Sequence, residues 1–289
     1  MEGWKSGRLE EWKNGRIEEW KNGRGECCVL LRWWRESWSV SCKRPILQCS
    51  TLPPSQTTNT TMKFTYLGHA AGYLETSSER FLFDPFLTGN PKASTGPEGV
   101  DPTYILLTHG HSDHLGDSVA ISKRTGAAII TTFELSQWLA AQGAKIEPMN
   151  HGGSHDFSFG RVTITIAFHS ASIIEEGGRP LYLGEPAGIV LETDGRTIYH
   201  AGDTALFSDM RLIAEEAPID LALLPIGDRF TMGPKQAKKA VEFLRPKHVV
   251  PIHYGTFPAL TGDPHEFVKL AKGTDAEIHV LRPGESMDF

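Results

Sequence analysis

From residue 63 onward, apolar positions recur in short runs cut by turn residues, the signature of strands with interspersed helices. Residues 63–67, 73–76 and 80–84 predict three strands in an antiparallel opening, and 104–108 predicts a strand ending in polar residues. Around a strand at 127–131, segments 115–125 and 133–142 carry apolar residues at helical spacing. Alternation returns at 162–168, and 189–193 with 197–200 reads as a hairpin through Asp194-Gly195, a pair suited to the positive φ angles of a primed turn. The remainder predicts helix 208–217, strand 220–226, helix 234–244, strand 248–252, helix 264–272 and strand 277–281. Strands outnumber helices, and both are spread along the chain. Two sheets packed together with helices outside bury all the apolar faces, which predicts an α/β (α+β) fold.

The first 61 residues follow none of this. They open on a tandem repeat, EGWKSGR, EEWKNGR, EEWKNGR, which sets Trp4, Trp12 and Trp20 eight residues apart. That step turns each Trp by roughly 80° around a helix, so no face collects them, and the Gly in each unit weakens a helix further. Composition divides at the same place. Six of the seven Trp and all four Cys precede Met62, whereas none of the fourteen Phe or twelve His does. Residues 51–61, rich in Pro, Ser and Thr, read as a linker. The expected organisation is a disordered or non-native leader at 1–61 and one globular domain at 62–289. Cys27, Cys28, Cys42 and Cys49 lack the C-x-x-C spacing of a zinc site.

Charge narrows the partners. The chain carries −6 overall, but ten basic and seven acidic residues lie before Met62, so 62–289 carries −9. A domain of that sign lacks the positive field that holds nucleic acid, which leaves a small molecule as the expected substrate. The early hydrophobic stretch 27–40 is cut by Arg32, Arg35 and Glu36, so no membrane span is predicted and a cytoplasmic location is expected.

The chemistry is concentrated in Thr108-His109-Gly110-His111-Ser112-Asp113-His114, where three imidazoles and a carboxylate follow an apolar strand. Imidazole and carboxylate are ligands of borderline divalent cations, and a loop at a strand end can turn such side chains toward one point. Three further candidates each close an apolar strand: His169 after Ile164-Thr165-Ile166-Ala167-Phe168, Asp203 in Ala201-Gly202-Asp203-Thr204, and His253 after Val249-Val250-Pro251-Ile252. Together they supply seven ligands, enough for two metals sharing a carboxylate. Without a thiolate the set admits zinc first, and manganese, iron or nickel.

The order H-x-H-x-D-H, then His, then Gly-Asp-Thr, then His resembles the metallo-β-lactamase superfamily over residues 62–289. The resemblance implies a four-layer αβ/βα sandwich with the site at one edge. It also implies His109, His111 and His169 on one metal, Asp113, His114 and His253 on the other, and Asp203 between them. Tyr66-Leu67-Gly68-His69-Ala70, Phe83-Asp84-Pro85-Phe86 and Phe230-Thr231-Met232-Gly233-Pro234 are similar to a branch of metal-dependent hydrolases related to ascorbate-6-phosphate lactonases. Many relatives in that branch have Gly-Gly-Asn where this chain has Gly227-Asp228-Arg229. Residues 1–61 have no counterpart there.

The expected activity is therefore metal-dependent hydrolysis of a small ester, lactone or phosphodiester by a metal-bridging hydroxide, in a monomer or a homo-oligomer. Asp113, His69 and Arg229 are the candidates for a direct catalytic part; Asp84, expected to orient a histidine or start a turn, and Tyr254 are further candidates beyond the metal shell. His200 is expected to buttress the site. His151, His155, His248, His265 and His279 lack paired ligand spacing, and Lys235, Lys238 and Lys239 read as the solvated face of a helix. The alternatives on the same scaffold are a single-iron sulfur dioxygenase and a metal-dependent binding protein without turnover.

Overall fold

Successive residues of a strand point to opposite faces, and in the central strands of this chain both faces are apolar. Leu221 and Leu223 enter one core while Ala222 and Leu224 enter another; Phe81 and Phe83 likewise part from Leu82. Strands buried on both sides belong in the middle of a layered sandwich. The computed structural model describes residues 61–175 and 177–289, together with Glu19–Lys21 and Cys27–Val29. Those two short strands pair antiparallel, Glu19 opposite Val29. The rest of 1–60, and with it the expectation of a disordered or non-native leader, lies outside the described residues.

One seven-stranded sheet has the spatial order Ser286–Asp288, Lys63–Gly68, Ala71–Glu75, Arg80–Phe83, Tyr104–Leu106, Ala128–Thr132, Ile146–Met149. The other has Glu277–Ile278, His248–Ile252, Leu221–Pro225, Arg196–His200, Ala187–Thr193, Gly160–Ile166, Ser154–Phe157. The core shared by the two sheets includes Phe64, Phe81, Phe83, Ile164, Ile189, Leu223 and Val250. Helices Ser118–Thr125 and Phe133–Ala141 cover the outside of the first sheet through Ile121, Leu135 and Leu139. Met210–Glu216, Pro234–Leu244 and Pro264–Ala271 cover the second through Met210, Ala237, Val241 and Phe267. The result is the four-layer αβ/βα sandwich.

Local chemistry accounts for several boundaries. Asp194 (φ 47°) and Gly195 (φ 74°) close the hairpin between Ala187–Thr193 and Arg196–His200. Pro234 starts its helix after Gly233, and Arg245 in the left-handed region ends it before Pro246. On its solvated face, Lys238 and Lys239 pair with Glu242.

The predicted helix 115–125 is two helices, Ser112–Leu115 and Ser118–Thr125. They part at Gly116 (φ 40°), where a Cβ would lie 2.3 Å from the Pro85 carbonyl oxygen. The predicted strand 162–168 ends at Ile166, and Phe168 turns outward to 58% exposure. Strand 277–281 shortens to Glu277–Ile278.

Candidate metal centre

The site forms where loops leave the strands of both sheets. His69 follows Lys63–Gly68, the histidine-rich loop follows Tyr104–Leu106, His169 follows Gly160–Ile166, Asp203 follows Arg196–His200, and His253 follows His248–Ile252. Three residues here hold positive φ without being glycine: His69 at 60°, Asp84 at 38° and His253 at 57°. Such conformations persist when the surroundings over-determine them. One restraint is visible: the His253 amide donates to the His69 carbonyl at 2.8 Å, tying a loop of one sheet to a loop of the other. Gly202 (φ 61°) lets Asp203 approach closely, since a Cβ would meet the Ala187 carbonyl oxygen at 2.6 Å.

Two groups of metal-capable side chains result, His109 with His111, His169 and Asp203, and His69 with Asp113, His114 and His253. In each, the ligand atoms lie within 4.8 Å of one another. Asp203 faces both: Oδ1 is 3.3 Å from His114 Nε2, while Oδ2 is 3.0 Å from His253 Nε2 and 3.5 Å from His169 Nε2. His69 Nε2 lies 3.1 Å from Asp113 Oδ2. All seven side chains that the sequence pattern singled out come together, and His69 joins them.

A buried polar shell fixes which nitrogens face inward. Asp84, fully buried, accepts from the Thr108 amide at 2.8 Å, the Thr108 hydroxyl at 2.7 Å and His114 Nδ1 at 2.7 Å. The Thr108 hydroxyl spends its one proton on Asp84, so at 3.0 Å it accepts from His109 Nδ1–H. His109 and His114 consequently turn Nε2 toward the site. Each is oriented as metal-binding imidazoles commonly are, by a hydrogen bond on the other nitrogen. His200 donates from Nε2 to the Ala70 carbonyl at 3.1 Å and accepts from the Gly202 amide at 3.0 Å, which steadies the turn carrying Asp203.

The electrostatics call for cations. Asp84, Asp113 and Asp203 converge here, and no Lys or Arg is buried among the described residues. His114 Nε2 and Asp203 Oδ1, 3.3 Å apart, and His253 Nε2, 3.0 Å from Asp203 Oδ2, are buried without a hydrogen-bond partner, as is His253 Nδ1. Buried donors and acceptors that face one another without hydrogen-bond geometry are the arrangement of a converging set of metal ligands.

Burial opposes ionisation of Asp203, yet His253 and His114 hold its carboxyl well below the usual range. Burial would lower His114, but Asp203 and Asp84 raise it well above an ordinary imidazole; in the same way His253 rises to about 9 against its burial through Asp203 and Asp113. The carboxylates that favour positive charge on these imidazoles would favour a divalent cation in the same place. Burial lowers His109, His111 and His169, keeping them in the neutral form that binds metal. His69, lowered to about 4 chiefly by burial, is neutral too. These donors fit two divalent-cation sites.

Arg229 is exposed on the loop between Gly227 and Gly233, its guanidinium 5.6 Å from the Phe230 ring. That loop adjoins the centre because the Met232 amide donates to the Thr204 carbonyl at 3.0 Å. Tyr254 is half-buried beside His253. Sequence reasoning missed Thr108 as a relay and Thr256, whose hydroxyl lies 2.9 Å from His69 Nδ1. The position of Thr108 between strand and ligand loop was a usable signal; nothing in the spacing marks Thr256.

Residues 79–254 match the beta-lactamase superfamily domain. A metal-dependent hydrolase of Geobacillus sp. (strain WCH70), designated UPF0173, is 51% identical over 228 residues, covering 79% of this chain and all of that protein. Its counterpart in Bacillus licheniformis is 50% identical over 229 residues, again covering 79% and 100%. Among solved structures, Igni18, a metallo hydrolase from the hyperthermophilic archaeon Ignicoccus hospitalis, superposes with a TM-score of 0.72 at 36% identity, over 80% of this chain and 99% of its own. Among the described residues no helix is long and apolar enough to cross a membrane.

Proposed function

This chain belongs to the UPF0173 metal-dependent hydrolase family of the beta-lactamase superfamily, and from that premise we propose that it hydrolyses a small ester or lactone with an apolar flank, using two divalent metal ions, zinc foremost. The observation that carries the reading is Asp203, whose carboxylate faces both His/Asp groups, with Oδ2 between His169 and His253. In this reading His109, His111 and His169 hold one ion, Asp113, His114 and His253 hold the other, and Asp203 belongs to both. Bound there, divalent cations lower the pKa of water toward neutrality and polarise the bond to be cleaved. Asp84 and Thr108 keep His114 and His109 in the ligating tautomer. His69 positions Asp113 through its Nε2 contact, and Arg229 meets an anionic group carried by the substrate.

The rim favours an ester or lactone over a phosphodiester. Phe86 and Phe257 each stand with ring centroids 5.7 Å from the His69 ring, and exposed Phe168 and Phe230 lie on ligand-bearing or adjoining loops. Apolar rings suit an acyl, aryl or lactone body, whereas a second anionic group would want a cationic clamp. The resemblance to ascorbate-6-phosphate lactonases keeps lactones in the substrate class. The test is a panel of aryl esters, lactones and phosphodiesters offered to zinc-loaded and chelated protein. Turnover of an ester or lactone at least tenfold above the phosphodiesters, lost on chelation, is expected. Failure on all three with two metals bound would refute the reading.

We also propose that the hydrolase domain begins at Met62. The 228 residues shared with the Geobacillus relative equal the length from Met62 to Phe289, and all twelve His lie within it. Protein beginning at Met62 should keep its metal content and its thermal midpoint within about 2 °C, a shift corresponding to about 1 kcal/mol or less. A large fall in either would place 1–61 within the working domain.

A further inference from the structure

At the opposite end of the strand that delivers His253, a third group of donors has no part in the hydrolase centre. His248 begins the strand His248–Ile252, Glu277 lies opposite it in the parallel register of the edge strand Glu277–Ile278, and the His279 amide donates to the Val249 carbonyl at 2.8 Å. Backbone pairing therefore delivers all three side chains to one place. His248 Nδ1 is 3.0 Å from His279 Nε2 and 3.6 Å from Glu277 Oε2, and His279 Nε2 is 3.8 Å from that oxygen.

From these distances we infer that His248, Glu277 and His279 form a separate, peripheral site for a borderline divalent cation such as zinc. A point equidistant from three atoms so spaced lies about 2.0 Å from each, the bond length of zinc to imidazole nitrogen and carboxylate oxygen. One ion meets all three donors without moving any of them and keeps an open position for water. The imidazoles are only 25% and 20% exposed at their side chains, which holds their orientation, while Glu277 is 68% exposed and leaves a path from solvent. A single imidazole-to-imidazole hydrogen bond explains the 3.0 Å contact alone but not the carboxylate at near-equal distance from both nitrogens. About five residues of extended strand, roughly 16 Å, separate this site from His253, so it is not a third position within the hydrolase centre. Its effect is to clip a two-residue edge strand to the sheet.

The test compares zinc binding by the full chain with that of His279→Ala and His248→Ala. Equilibrium dialysis should show one equivalent fewer in each variant, with ester hydrolysis unchanged. Zinc should also slow amide exchange at His279 in the wild type but not in Glu277→Gln. Because the readout is a difference between proteins, it stands whatever number of ions the hydrolase centre holds. Equal stoichiometry in the wild type and both His variants would overturn the site, as would exchange at His279 that zinc does not change.

Discussion

Asp203→Ala should lower kcat by at least about a hundredfold on whatever ester or lactone the enzyme turns over, because among the described residues Asp203 alone presents an oxygen to each of the two His/Asp groups. Its loss removes the shared anion and leaves His114 and His253 facing an unfilled space. A hundredfold corresponds to about 2.7 kcal/mol of transition-state stabilisation, modest for a group acting on two metal ions. Arg229→Ala supplies the contrast. An exposed arginine that orients an anionic group of the substrate acts about equally in ground and transition states, so its removal should raise KM several-fold and leave kcat nearly unchanged. Steady-state kinetics on the two variants, each with its metal content measured, separate the roles. Near-native kcat in Asp203→Ala with both metals bound would end the shared-carboxylate account.

Asp84→Ala should have the largest effect on the folded state. The carboxylate is fully buried and accepts three hydrogen bonds, from the Thr108 amide, the Thr108 hydroxyl and His114 Nδ1. Truncation strands these donors away from water, and losing one partner of a buried charged network costs about 3–5 kcal/mol. It also frees the ring of His114 and the Thr108 hydroxyl that orients His109, so metal affinity should fall roughly 10–100-fold, the range for a lost outer partner. Urea denaturation reads the first effect, and competition with a chromogenic chelator reads the second. Asp84→Asn, which keeps the shape and one acceptor, should fall between wild type and alanine in both. Equal chelator competition in wild type and alanine variant would mean that Asp84 supports the fold without orienting the ligands.

Residue order revealed much of the chemistry and less of the geometry. The HxHxDH loop, Gly202-Asp203-Thr204 and the strand-terminal His169 and His253 were legible because strand-end placement, small neighbours and ligand chemistry all point the same way. The buried strands 220–226 and 248–252 were equally plain, since both faces of each are apolar.

The missed features depend on partners remote in sequence. Ser286–Asp288 joins the sheet because Met287 lies opposite Phe64, a pairing absent from local periodicity. Ser154–Phe157 is a polar edge strand with little apolar alternation to announce it. For Asp84 the sequence offers both a turn and a partner for a ligand histidine, and only Thr108 and His114 packed around it decide between them. His248 and His279 look unrelated until parallel strands bring them to 3.0 Å.

The central claim is that two divalent cations lie on either side of Asp203, and X-ray anomalous scattering from crystals of the metal-loaded protein tests it most directly. The account predicts one peak among His109, His111 and His169 and another among Asp113, His114 and His253, with Asp203 touching both. Crystals of fully loaded, active protein with no anomalous density at either group would contradict it.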